Sequence, residues 1–212
     1  MIYRKKCSTS VLMVASVLAG VYTARAAKYE LASPDGLTIV KVCDEEGVPK
    51  YSVSYDGEML VLPSPLGLAG NLGDYGAGLS VMESDEPVRV TDSYSLPNIK
   101  KSHVDYVANR RNLTLGRDGQ KMMDVIFEVS DNNVAFRYKI LPQGGTRCCV
   151  ITDEHTGFRF PDGTTTFICP MSKPMEGFAR TYPSYETPYV PDDSVGKNGE
   201  GFGYTFPALF QI

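Results

Sequence analysis

The sequence predicts an all-β fold, an antiparallel β-sandwich, and three observations predict it. Beyond residue 27 apolar and polar residues alternate with a period of two, as strands with one dry and one wet face require. Turn formers interrupt that alternation at Glu46-Gly47, Asp56-Gly57, Asp131-Asn132-Asn133 and Pro161-Asp162-Gly163, often enough to close short hairpins. No window of about 12 residues in this region carries a helical apolar stripe.

The first segment stands apart. Arg4, Lys5 and Lys6 precede an apolar run from Val11 to Tyr22, and Ala24-Arg25-Ala26 follows as a small-x-small pattern. The run is roughly 12 residues, short of the ~20 that span a bilayer. Residues 1–26 therefore read as a signal peptide cut after Ala26 rather than a stable membrane anchor, and the protein is expected to be exported. The cut removes Arg4, Lys5, Lys6 and Arg25 and no acid, so 21 basic residues become 17 against 25 acidic ones, a formal −8. That charge repels a phosphate backbone, which excludes nucleic acid as a natural partner and leaves neutral ligands or cations.

The strands follow in order. In "LTIVKVC" (37–43) the alternation runs around Ile39 and Val42, and in "YSVSY" (51–55) around Tyr51, Val53 and Tyr55. "VRVTDSYSLP" (88–97) and "HVDYVANRRNLTLGRDG" (103–119) continue the pattern. Met122 to Val129 and Val134 to Leu141 form a pair around the Asp-Asn-Asn turn, with Val134, Phe136 and Tyr138 on one face and Arg137 on the other. "EHTGFRFPDGTTTFIC" (154–169) adds two short runs. At least eight strands of this kind suit a sandwich.

From about Pro170 to Gly203 proline, glycine, tyrosine and charge take over. A connection that long usually has a function of its own. Within it, "YPSYETPYV" (182–190) sets one carboxylate, Glu186, among three tyrosines and two prolines. "YTFPALFQI" (204–212) is strand-like and apolar, and natural termini are normally exposed and polar. The expectation is a sandwich that is incomplete at Ile212.

Four cysteines remain after the cut: Cys43, Cys148, Cys149 and Cys169. Their spacing fits neither a zinc site nor a CxxC redox motif. Adjacent Cys148 and Cys149 would point to opposite faces of a strand. Thiols are the first expectation, and one bridge from Cys148 or Cys149 to Cys169 is the alternative.

Four stretches, in order, carry a resemblance: "SPDG" (33–36), "YSVSYDGEMLVLPSPLGL" (51–68), "DNNVAFRY" (131–138) and "YTFPALF" (204–210). From about Tyr29 to Ile212 the chain resembles the N-terminal domain of glycoside hydrolase family 97, exported bacterial α-glucosidases and α-galactosidases. The resemblance implies a galactose-mutarotase-like super-sandwich over residues 27–212 in the periplasm, packed on a catalytic (β/α)₈ barrel. It also implies an α-glycoside substrate and an active-site calcium that takes one glutamate from this domain. The barrel would carry the catalytic carboxylates, so no residue of this chain is assigned a catalytic role.

Glu186 is the candidate calcium ligand, since calcium takes carboxylate oxygens. One carboxylate would hold the ion poorly alone, so binding by this chain is expected to be weak or absent. The competing reading has Glu186 accept hydrogen bonds from turn amides or a tyrosine hydroxyl. Tyr185 and Tyr189 are candidate sugar contacts, with packing of the loop as their alternative; Tyr182 belongs with them. Asp192, Asp193 and Glu200 are runner-up oxygen donors. Two other functions compete: an independent carbohydrate-binding module, and a mutarotase-like enzyme drawing on His103 or Glu154-His155.

Overall fold

The computed structural model describes residues 29–145, 148–170, 190–191 and 203–212. Four antiparallel sheets hold its strands, and no α-helix occurs among the described residues. The first sheet is a meander of β1 (Tyr29–Ala32), β2 (Thr38–Cys43), β3 (Lys50–Tyr55) and β4 (Glu58–Pro65), in that spatial order. Asp56 and Gly57 make the β3–β4 turn with φ of 46° and 84°. Both signs suit the right-handed twist of a two-residue hairpin.

The second sheet faces the first. It runs β11 (Asn133–Ile140), β10 (Gln120–Ser130), β9 (His103–Arg117) and β7 (Ser80–Ser84), with β8 (Val88–Ser95) also on β9. Strand β9 has 15 residues and serves two partners. Its first half pairs with β8 from His103 to Arg110, and its second half with β7 from Leu113 to Gly116.

The core lies between these two sheets. Val40, Val42, Tyr51 and Val53 from one side meet Leu113, Leu115, Met123, Val125, Phe127 and Val129 from the other. Tyr51 sits centrally, its ring 6.2 Å from that of Phe127 and 5.4 Å from that of Phe136. The pattern in β11 is as the sequence predicts, with Val134, Phe136 and Tyr138 half-buried and Arg137 exposed. Lys139, two residues on from Arg137, meets the buried carboxylate of Asp124 at 3.5 Å.

Three expectations need correcting. In β2 the buried positions are Thr38, Val40 and Val42, so Ile39 is out of phase and only half-buried. "TIVKV" offers apolar residues in both phases, and packing against the facing sheet puts Val40 and Val42 inward. Tyr55 is 43% exposed, because it closes β3 at the hairpin turn. Cys148 and Cys149 lie in coil rather than on a strand, so alternation does not separate them. None of the four cysteines is in a disulfide.

Two smaller sheets complete the fold. One joins β12 (Ile151–Glu154), β5 (Leu68–Gly70) and β6 (Gly73–Asp74). The other joins β14 (Val190–Pro191), β13 (Thr165–Pro170) and β15 (Tyr204–Gln211), with β13 central. Pro191 is on an edge strand, where the missing N–H is tolerated.

The motifs that looked diagnostic in the sequence are the points where these sheets are sewn together. In "SPDG", Ser33 Oγ donates to Asp35 Oδ1 at 2.5 Å and Gly36 takes a φ of 81°. The Asp35 carboxyl is held below its ordinary range by Ser33, and by the Leu37 amide. The same turn reaches the β10–β11 turn of the opposite sheet. Asp35 N donates to Asp131 Oδ1, and Thr38 Oγ1 donates to the Asp131 carbonyl, each at 3.0 Å. The second and third motifs meet where Gly67 N donates to the Tyr138 hydroxyl at 3.1 Å. That hydroxyl also bonds Thr156 at 2.6 Å. Gly67 is needed there because a Cβ would stand 2.4 Å from the Cα of Gly76.

Candidate functional site

The fourth motif and the unusual connection before it converge on the β14–β13–β15 sheet. Strand β15 pairs with β13 in the register Thr166↔Phe210, Phe167↔Leu209 and Cys169↔Thr205. Three residues of β15, Phe206 to Ala208, therefore face Ile168 alone. The bulge bends the strand, and the Phe206-Pro207 bond within it is cis.

Both faces of this sheet are apolar. On one, Phe206, Ala208, Phe210 and Ile168 form a groove of about 480 Å³ with Phe158 and Phe160. Phe160 and Phe210 stack at 4.2 Å and 25°. On the other, the paired Phe167 and Leu209 are 46% and 65% exposed. Phe206 is 89% exposed and Phe158 56%. Strands that read apolar on both faces are those buried on both faces, and clustered exposed aromatics mark interaction surfaces.

The groove is attached rigidly to the sandwich. Phe158 meets core Tyr51 edge-on at 6.2 Å, and the Tyr51 hydroxyl donates to the Gly157 carbonyl at 3.1 Å. Burial pushes the Tyr51 phenol up from its ordinary value, and nearby Tyr138 adds to this. Leu62 N donates to the Arg159 carbonyl at 2.7 Å, and Arg159 N donates to Ser64 Oγ at 2.8 Å.

The stretch "YPSYETPYV" ends on this same sheet. Val190, its last residue, pairs with Ile168, and Pro191 pairs with Phe167. Glu186, Tyr182, Tyr185 and Tyr189 lie outside the described residues, as do Asp192, Asp193 and Glu200. Calcium takes six to eight oxygens, and among the described residues no three His, Cys, Asp or Glu side chains gather to hold a metal. The described part of the chain does not by itself fit the ion.

The histidines are placed apart. His103 Nε2 lies 3.2 Å from Asp105 Oδ1, and His103 Nδ1 lies 3.1 Å from Ser95 Oγ, at the end of the β8–β9 hairpin. His155 turns to Asp74, 3.7 Å away, beside Gly76. Its neighbour Glu154 is exposed on β12. Arg117 fixes the loop that carries Asp74, donating to the carbonyls of Asp74, Ala77 and Gly78.

The sequence contained part of this site. The apolar tail signalled β15, but Phe158 and Phe160 sat in a short run with no distinguishing pattern. Only the fold brings them under Phe210.

Comparison with known proteins adds the following. A family model described as "Glycosyl-hydrolase 97 N-terminal" matches residues 31–212. A solved β-arabinopyranosidase aligns with a TM-score of 0.80 and 42% identity, over 87% of this chain and 30% of its own. A glycoside hydrolase family 97 enzyme from Pseudoalteromonas sp. strain K8, solved with panose, aligns with a TM-score of 0.69 at 20% identity, over 86% of this chain and 26% of its own. At that identity the likeness is one of fold. A probable retaining α-galactosidase of Streptomyces bingchenggensis is 27% identical over 142 residues, which is 67% of this chain and 22% of that protein. The chain thus spans less than a third of the length of the proteins it matches.

Proposed function

The chain belongs to the glycosyl-hydrolase 97 N-terminal family, and from that premise we propose that it is the non-catalytic accessory sandwich of an exported α-glycosidase. Its β13–β15 sheet packs on the catalytic (β/α)₈ barrel, and the loop through residues 182–190 reaches that barrel's active site. One observation carries the reading: the doubly apolar sheet, with Phe206 89% exposed, is continuous with the strand that ends this loop. A groove of that character, on a domain under a third of its relatives' length, calls for the remainder as its cover.

In this reading Glu186 donates one carboxylate oxygen to the active-site calcium, and the remaining donors come from the barrel. Tyr185 and Tyr189 border the sugar. The catalytic carboxylates belong to the barrel, because glycoside hydrolysis needs two carboxyl groups at a set separation across the scissile bond.

Two of the named relatives, the β-arabinopyranosidase and the probable α-galactosidase, support one substrate class, while the enzyme solved with panose supports a glucoside as the alternative. A β-L-arabinopyranoside has the ring configuration of an α-D-galactopyranoside and lacks only its hydroxymethyl group. The reading that those two support is an enzyme acting on a galacto-configured pyranoside. Residues 1–26 direct it to the periplasm and are removed after Ala26.

The coding sequence after codon 212 tests the accessory role. An in-frame barrel domain is expected there; unrelated sequence would overturn the proposal. Calorimetry of this chain with galactosides and maltose supplies the second arm. Tight binding by the chain alone would establish a free-standing carbohydrate-binding module instead. Assay of the complete enzyme on nitrophenyl α-galactoside, β-L-arabinopyranoside and α-glucoside tests the substrate class, and a preference for the glucoside would refute it.

A further inference from the structure

Cys148 and Cys149 are consecutive thiols in the coil before β12, and both line a recess of about 630 Å³ walled by Leu72, Ile140, Leu141 and Pro142. Cys148 is exposed and Cys149 half-buried, so the pair is open to a small molecule from one side. The coil is pinned immediately beyond them. Val150 N donates to Asn71 Oδ1 at 2.8 Å, and Asn71 N donates to the Val150 carbonyl at 3.1 Å.

Residue 70 is a glycine because the coil lies directly on it. A Cβ there would stand 2.6 Å from the Val150 carbonyl oxygen and 3.3 Å from Cys149 Sγ. Tyr75 is fully buried, and its hydroxyl has no hydrogen-bond partner among the described residues. Burial pushes that phenol up, and the Cys149 sulfur beside it adds to the effect.

The donor set narrows the ligand. Among the described residues no third His, Cys, Asp or Glu joins the two sulfurs, so the described residues alone do not build a four-ligand zinc site. Soft thiolates select soft centres, and a centre satisfied by two protein sulfurs matches the pair. We propose that Cys148 and Cys149 form a two-sulfur capture site for a soft trivalent thiophile of the monosubstituted arsenical class. Two S–As bonds form, the As–O bond of the arsenoxide breaks, and the two thiol protons leave with that oxygen as one water.

Phenylarsine oxide is the probe. The reduced 212-residue chain, treated with one equivalent and analysed by native intact-mass measurement, is expected to carry one adduct. That adduct survives an excess of a monothiol and is released by a dithiol. In Cys148→Ser and in Cys149→Ser the monothiol strips it completely, while Cys43→Ser retains it. A resistant adduct in either of the first two variants, its loss in Cys43→Ser, or no adduct on the unaltered chain overturns the proposal. Maleimide labelling of the unaltered chain keeps the test independent of variant folding. The arsenical should shield Cys148 and Cys149 together, and full labelling of both in its presence would refute the site.

Discussion

Replacing Phe206 by alanine separates a folding role from a docking role. The side chain is 89% exposed in this chain, so little burial is lost within the domain. An exposed substitution of this kind changes stability by less than about 0.5 kcal/mol. In the complete enzyme the same ring would be covered by the barrel, and burying a phenylalanine contributes about 1.5–3 kcal/mol. Anchors in well-packed interfaces often exceed 2 kcal/mol. The domain–barrel association should therefore weaken by roughly one to two powers of ten, while the isolated domain melts as before. Circular dichroism melts of the chain alone, set beside limited proteolysis of the complete enzyme at the domain border, measure the two effects. The unaltered chain should also self-associate in size-exclusion chromatography with light scattering, because the sheet is apolar on both faces. Phe206→Ala should reduce that. Equal destabilisation of the isolated chain and the complete enzyme would refute the docking argument, since it would make Phe206 a core residue of this domain.

Three further outcomes follow from the stitching points. Gly67→Ala forces a Cβ to within 2.4 Å of the Gly76 Cα at a φ of 156°, and urea unfolding should show a loss of about 2–5 kcal/mol. Tyr138→Phe removes the acceptor for Gly67 N and the partner of Thr156; a loss of about 1–3 kcal/mol is expected, and a neutral result would show that the two motifs are not joined through this hydroxyl. The pH dependence comes from the buried phenols. Tyr51 and Tyr138 are both raised by burial. In the unfolded chain they release protons near pH 10, while the folded chain keeps them. Their contribution is complete below about pH 10 and falls away as pH rises through the folded values. Alkaline unfolding followed by tyrosinate absorbance should thus be delayed in Tyr51→Phe relative to the loss of stability that substitution causes at neutral pH. A parallel downward shift at every pH would contradict this linkage.

The sequence alone carried the all-β class, because period-two alternation and turn residues are local signals that the backbone obeys wherever the strand ends up. It also carried the family, through motifs that turn out to be structural. "SPDG" and "DNNVAFRY" are the turns that clamp one sheet to the other through Asp131, Thr38 and Asp35, and such clamps constrain residue identity at each end. What it could not carry was anything decided by pairing across distance. The phase of β2 rests on which of two apolar sets meets Leu113 and Phe127, and "TIVKV" permits either locally. The aromatic groove joins Phe158 and Phe160 to Phe206 and Phe210 across some fifty residues by register alone. The recess at Cys148 and Cys149 exists because Val150 and Asn71 exchange hydrogen bonds, a contact no spacing rule encodes. Local chemistry fixed the strands, and tertiary packing decided which of their faces remained open for another molecule.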